Sequence, residues 1–125
     1  LSKSKAKGTR FEAAVVGYLR GALGEGVERR ALCGANDRGD VSGVYAHGQR
    51  VVVECKSTRR LELSRYLAEA EAERGNDDAL AGCVVWKRPR VTDRETGAMG
   101  QQLVLMTLEG FTALVTGQRP EIEEG

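Results

Sequence analysis

Apolar residues in FEAAVVGYLRGAL recur at Phe11, Val15, Tyr18, Leu19 and Ala22, the spacing of one helical stripe. Thr9 stands where an N-cap belongs, and Gly24 and Gly26 stop the pattern. VERRALC then reads as a strand and GANDRG as a turn-rich loop. DVSGVYA and RVVVECK are β-rich runs separated by a short loop with His47 and Gly48, which predicts a hairpin. Ser57 or Thr58 is placed to cap a second helix through RRLELSRYLAEAEAERG, with Leu63, Leu67 and Ala70 on one face and Gly75-Asn76-Asp77 ending it. LAGCVVWK is nearly continuous in apolar residues, as a buried strand is. After the polar loop KRPRVTDRETGAMGQ comes a further strand, QLVLMTL, and Thr107 is placed to cap a last short helix, LEGFTALV. The order helix, three strands, helix, strand, strand, helix predicts an α/β fold, a mixed sheet flanked by helices.

Composition adds limits. The 125 residues fit one domain over 9–125, preceded by a basic arm over 1–8, LSKSKAKG. An apolar content of 41% and a charged content of 30% are those of an ordinary globular chain. No apolar run nears the ~20 residues needed to cross a bilayer, and no signal peptide is visible, so no membrane partner is expected. Cys33, Cys55 and Cys83 are odd in number and form no CxxC pair. That argues against a zinc site or a disulfide framework and for a reducing, cytoplasmic compartment (of a bacterium, an archaeon or a phage-infected host). The net charge of +1 conceals a polarity: up to Arg60 basic residues outnumber acids by about two to one, and beyond it acids dominate. Such asymmetry suits a protein with one face for a polyanion, although a plainly solvated surface accounts for the composition alone.

The stretch RGDVSGVYAHGQRVVVECKS concentrates the candidate chemistry. Strand alternation puts Glu54 and Lys56 on one face, roughly 7 Å apart along the strand, and turns Val53 and Cys55 to the other. Asp40 opens the preceding strand. Opposed residues of an antiparallel pair share a face, so Asp40 joins Glu54 only if opposed residue numbers sum to an even value. A two-residue His47-Gly48 loop, pairing Ala46 with Gln49, gives an odd sum. A metal site here therefore predicts a three-residue loop or a bulge near Gly43. Two converging carboxylates repel unless a cation or proton lies between them, and a hard ion such as Mg2+ takes oxygen ligands, here Asp40, Glu54 and the Cys55 carbonyl. Lys56 would then orient or deprotonate a water for attack on a phosphodiester and offset the developing charge. The simpler alternative is a surface ion pair between Glu54 and Lys56.

The arrangement GD, thirteen residues, ECK resembles the acid, E-x-K signature of the PD-(D/E)xK nuclease superfamily, with Gly39 where proline is usual. KGTRFE, Lys7 to Glu12, resembles more narrowly the archaeal-type Holliday junction resolvases. The resemblance implies a restriction-endonuclease-like fold, a homodimer, and Mg2+ (or Mn2+ in its place) as cofactor. It makes Asp40 and Glu54 the metal-binding acids, Lys56 the catalytic lysine and Glu12 a further required acid on the first helix. The relatives often carry a serine-rich loop before the aspartate, whereas this chain has GANDRG, so details of that loop do not carry over. Without the resemblance, Glu12 is accounted for as an acid in the first turn of its helix, favoured by the dipole.

The expected partner is branched DNA, foremost a four-way junction, whose backbone would meet Lys3, Lys5, Lys7, Arg10, Arg38, Lys87, Arg88 and Arg90. A solubilising terminus explains the first lysines equally well. His47 reads as a surface turn residue, Trp86 and Tyr66 as core or interface, and Cys55 as a small core residue. Leu63, Tyr66 and Leu67 are one candidate dimer surface. Two other functions fit the same residues: a related nuclease acting on flaps, ends or linear duplex, and a non-catalytic DNA-binding protein with a relict site.

Overall fold

In a computed structural model that describes residues 2–30 and 40–120, the first helix is longer than its apolar stripe. Helix α1 runs Lys3–Leu23 and is capped by Ser2, whose hydroxyl accepts the Lys5 N–H at 3.2 Å. Thr9 lies inside it. From Lys3 onward the expected arm is instead the exposed opening turns of a helix. Serine caps as well as threonine does, and lysine and alanine are good helix formers, so a missing apolar stripe does not mean a missing helix. The stripe itself buries Phe11, Val15 and Val16.

Among the described residues six strands follow, β1 (Glu28–Arg29), β2 (Val41–Ser42), β3 (Tyr45–Ala46), β4 (Gln49–Lys56), β5 (Ala81–Trp86) and β6 (Leu103–Leu105), with helices α2 (Leu63–Asn76) and α3 (Leu108–Thr116). The sheet order is β1-β2-β4-β5-β6, with β3 also paired to β4. β4 and β5 run parallel, joined through α2; the other pairs among the described residues are antiparallel. The result is a mixed α/β architecture with an open mixed sheet flanked by helices. The predicted order of elements holds, except that DVSGVYA divides into β2 and β3 around Gly43 and that the predicted loop after β5 contains a 3-10 helix, Thr96–Gln101. The VERRALC strand is described only as far as Arg30; Cys33 and the GANDRG loop with Arg38 lie outside the described residues.

Alternation along β4 and β5 builds two cores. Val51, Val53, Cys55, Cys83 and Val85 pack with Phe11, Val15 and Val16 of α1. Val84 and Trp86 pack with Tyr66 and Ala70 of α2. That second core keeps Ala70 of the predicted α2 face but turns the rest of it: Tyr66 and Glu73 are buried, Leu67 is half-buried and Leu63 is exposed. Tyr66, with none of its surface accessible, is core and unavailable to a dimer surface. The helix also starts later than predicted, after Glu62, because the hydroxyl of Thr58 bonds instead with the Arg60 carbonyl and the Tyr66 hydroxyl. Thr107 does cap α3, its hydroxyl accepting the Gly110 N–H at 3.0 Å. Among the described residues no helix is long and apolar enough to cross a membrane.

Candidate active site

The hairpin turn is the two-residue one, and the bulge is present as well. His47 and Gly48 both adopt positive φ, 54° and 72°, the geometry that matches the strand twist of a tight hairpin. Near this turn Ala46 pairs with Gln49 and Tyr45 with Arg50, giving odd sums. Beyond Gly43, Val41 pairs with Val53, an even sum. Four residues on one strand therefore span three on the other, and the extra residue sits where Gly43 turns to φ 86°. Glycine is required there, because a Cβ would lie 2.0 Å from the Gly26 carbonyl oxygen. The paired register ends at Val41 and Val53, and Asp40 is the next residue along, at the end of β4 that carries Glu54 and Lys56.

Local bonds hold this end of the sheet. The Asp40 N–H donates to the Val53 carbonyl at 3.0 Å, and the Asp40 carbonyl accepts from Arg30 N–H at 2.8 Å. The Asp40 carboxylate accepts the Cys55 N–H through Oδ2 at 2.7 Å, which ties the acid to the strand bearing Glu54 and Lys56. Glu54 is only 5% exposed, an unusual place for a carboxylate. Its neighbours on the same face are Val52, which is buried, and Lys56.

Lys56 is held by α2. Its Nζ lies 2.7 Å from Glu69 Oε2 and 5.2 Å from the centre of the Tyr66 ring. Burial lowers the affinity of its amine for a proton, but the Glu69 hydrogen bond and the charges of Glu69, Glu54 and Asp40 outweigh it, and the net shift is upward. The surrounding acids thus favour the ammonium form. The Cys55 thiol is pushed up, first by burial and then by the charges of Asp40, Glu12 and Glu54. Three acids are therefore within electrostatic range of one residue at this strand end.

Glu12 is the third of them, but its setting differs from the prediction. With α1 starting at Lys3, Glu12 stands in mid-helix, so the dipole no longer accounts for it. It forms an ion pair with Arg29 of β1, Oε2 to Nε at 2.7 Å. Among the described residues no group of three or more Asp, Glu, His or Cys side chains is gathered closely enough to hold a metal. Asp40 and Glu54 supply a pair of hard oxygen donors, which suits an ion that completes its shell with water and phosphate.

The basic residues fall on two elements beside the site. Lys3, Lys5 and Lys7 are on the exposed first turns of α1, and Arg10 bonds across to Asp93 at 3.4 Å. This contact fastens the loop after β5 to the helix. In that loop Arg88 and Arg90 are exposed, whereas the Lys87 ammonium donates to the Val91 carbonyl at 2.7 Å and braces the loop from within. Because Lys56 pairs in register with Trp86, the loop leaves the sheet at the end that carries Lys56. His47 is a tether: its Nε2 lies 2.8 Å from the Leu114 carbonyl oxygen, joining the hairpin turn to α3 at the opposite end.

The residues that sequence reasoning missed are Glu69 and the role of Tyr66. A buried face of α2 drawn through Leu63 and Leu67 leaves Glu69 among the solvated acids. The signal that could have found it is Tyr66 itself, since a core face through Tyr66, Ala70 and Glu73 brings Glu69 to its border. No family model, curated protein or solved structure matches the chain.

Proposed function

We propose that this protein is a Mg2+-dependent DNA endonuclease of the PD-(D/E)xK kind, its mixed sheet being the restriction-endonuclease-like one. Its preferred substrate on this reading is a four-way junction, cut on opposed strands by a homodimer. One observation carries the chemistry: past the change of register parity at Gly43, the Asp40 carboxylate accepts the Cys55 N–H at 2.7 Å, on the residue between Glu54 and Lys56. An exposed ion pair would need no such bulge, no buried Glu54, and no second acid bonded to the same strand.

Asp40, Glu54 and the Cys55 carbonyl are the oxygen donors that would hold Mg2+, or Mn2+ in its place. Bound there, the ion would polarise a phosphoryl oxygen and acidify a water. Lys56 contributes a fixed positive charge beside the phosphate, where charge develops during attack. On this reading Lys3, Lys5 and Lys7, with Arg88 and Arg90, would hold the DNA backbone without reading bases, as a structure-selective enzyme requires, while Arg10 ties their two elements together through Asp93. The preference for a junction rests on the KGTRFE resemblance and on symmetry: a C2 dimer matches the two-fold character of a four-way junction.

The test compares a mobile four-way junction with matched linear duplex, with and without Mg2+, for the wild type and Lys56→Ala. Paired, Mg2+-dependent incisions confined to the junction and lost in the variant are expected. Equal cutting of linear duplex, flaps or ends would move the assignment to another nuclease of the same kind. Binding without cleavage in any divalent ion would leave only a DNA-binding role.

A further inference from the structure

Lysine has a long flexible stem, so the position of its ammonium depends on what holds it. In this protein the holder is α2. The Tyr66 ring beneath Lys56 is fully buried and locked at its hydroxyl, which lies 2.7 Å from Thr58 Oγ1 and 3.2 Å from the Arg60 carbonyl oxygen. Thr58 is fixed in turn by the Trp86 indole N–H, which donates to its carbonyl at 3.0 Å and to its hydroxyl at 3.2 Å. A ring so braced offers a stationary face at cation–π range, 5.2 Å from Nζ. Glu69, one turn beyond Tyr66, then defines where over that face the charge sits, at 2.7 Å. Arg65, ion-paired to Glu62, adds a second positive charge 3.8 Å from Glu69 Oε1 and 5.4 Å from the centre of the same ring.

From this geometry we infer that Glu69 is a positioning residue, fixing the Lys56 ammonium at the strand end that carries Asp40 and Glu54; its catalytic consequence rests on the nuclease reading above. Glu69 touches no reacting atom. It acts by removing the freedom of a group that must be in place when the phosphate arrives. Being a partly exposed ion pair, the interaction adds little to stability, so its removal leaves the fold intact.

The experiment uses the full chain with 15N-labelled lysine, and reads the ammonium signals together with junction cleavage. Slowly exchanging signals are expected for Lys56 and for Lys87, whose ammonium is also bonded. In Glu69→Ala the Lys56 signal disappears and that of Lys87 remains. Turnover then falls roughly tenfold to a hundredfold with KM nearly unchanged, the cost of a misplaced group. Glu69→Gln, which keeps an acceptor oxygen, recovers part of the turnover. Glu71→Ala, which removes an acid paired instead with Arg74 and Arg119, changes neither readout. Survival of the Lys56 signal in Glu69→Ala, or an equal loss of turnover in Glu71→Ala, overturns the inference. If the signals behave as stated while wild type cuts no DNA, the hold of Glu69 on Lys56 stands and the nuclease reading falls.

Discussion

At the scale of single residues, burial separates the charges that can act from those that decorate. Glu54 is enclosed and Lys56 is partly covered and bonded, so each has one setting. Lys56→Ala should cost little in stability, because the ion pair it removes is partly exposed and such pairs are worth on the order of 1 kcal/mol. It should nonetheless cut the cleavage rate by roughly 100- to 1,000-fold, the usual loss when one charge-stabilising group is deleted. Parallel urea unfolding and single-turnover cleavage would show the split; a rate loss tracking reduced stability would contradict it. The buried thiols give a second prediction. Burial moves Cys83 from an ordinary 9.0 up to about 12, and Cys55 is shifted in the same direction. Alkylation of native protein at pH 8 should leave both unlabelled, while denatured protein labels fully, as peptide mass analysis would show. A thiol whose folded value is raised favours folding by an amount fully present below pH 9 and lost as the pH climbs to about 12, so stability should fall across that window.

At the scale of elements, the bulge links sequence to site. Gly43→Ala would force a side chain into a positive-φ position and onto the Gly26 carbonyl. The expected cost is about 2–3 kcal/mol from backbone strain of this kind. Cleavage should suffer more than stability does, since relief of the clash shifts the strand that carries Asp40. The opposite sign is expected in α1, where Gly8 and Gly21 have open space for an added methyl group and ordinary helical φ. Gly8→Ala and Gly21→Ala should each stabilise by roughly 0.5–1 kcal/mol, read as a rise in Tm. Much of this level is legible in the sequence. Period-2 runs place the strands, Thr107 announces α3, and parity alone requires either an odd loop or a bulge if Asp40 is to meet Glu54. Which alternative the chain uses is not legible, because a glycine in a β-run marks a bulge only once its neighbours are known. Two departures from expectation have separate causes. Polar residues carry no apolar stripe, so the Lys3–Lys7 turns read as an arm; and a face through Leu63, Leu67 and Ala70 follows the aliphatic spacing, which keeps Ala70 but passes by the buried ring of Tyr66.

At the scale of the whole molecule, a net charge of only +1 hides a surface whose basic groups are gathered by tertiary structure. The bond from Arg10 to Asp93 brings the lysine-bearing start of α1 beside the loop that carries Arg88 and Arg90, and that loop leaves the sheet at the Lys56 end. A polyanion laid along this side would meet positive charge from two elements before reaching Asp40 and Glu54. Two buried or bonded carboxylates would otherwise repel a phosphate, so the flanking cations and a divalent ion have complementary tasks: the first hold the backbone, the second makes the approach to the acids favourable. The two contributions can be separated by measuring junction binding without divalent ion, as a function of salt. Replacing Lys3, Lys5 and Lys7 together by glutamine preserves helix propensity and removes three charges. The slope of log affinity against log salt should become shallower by about 0.9 for each phosphate no longer neutralised. Lys56→Ala, by contrast, should change that slope little, since its ammonium is already engaged by Glu69. An unchanged slope in the triple variant would make the start of α1 a solubilising surface and restrict DNA binding to the loop after β5.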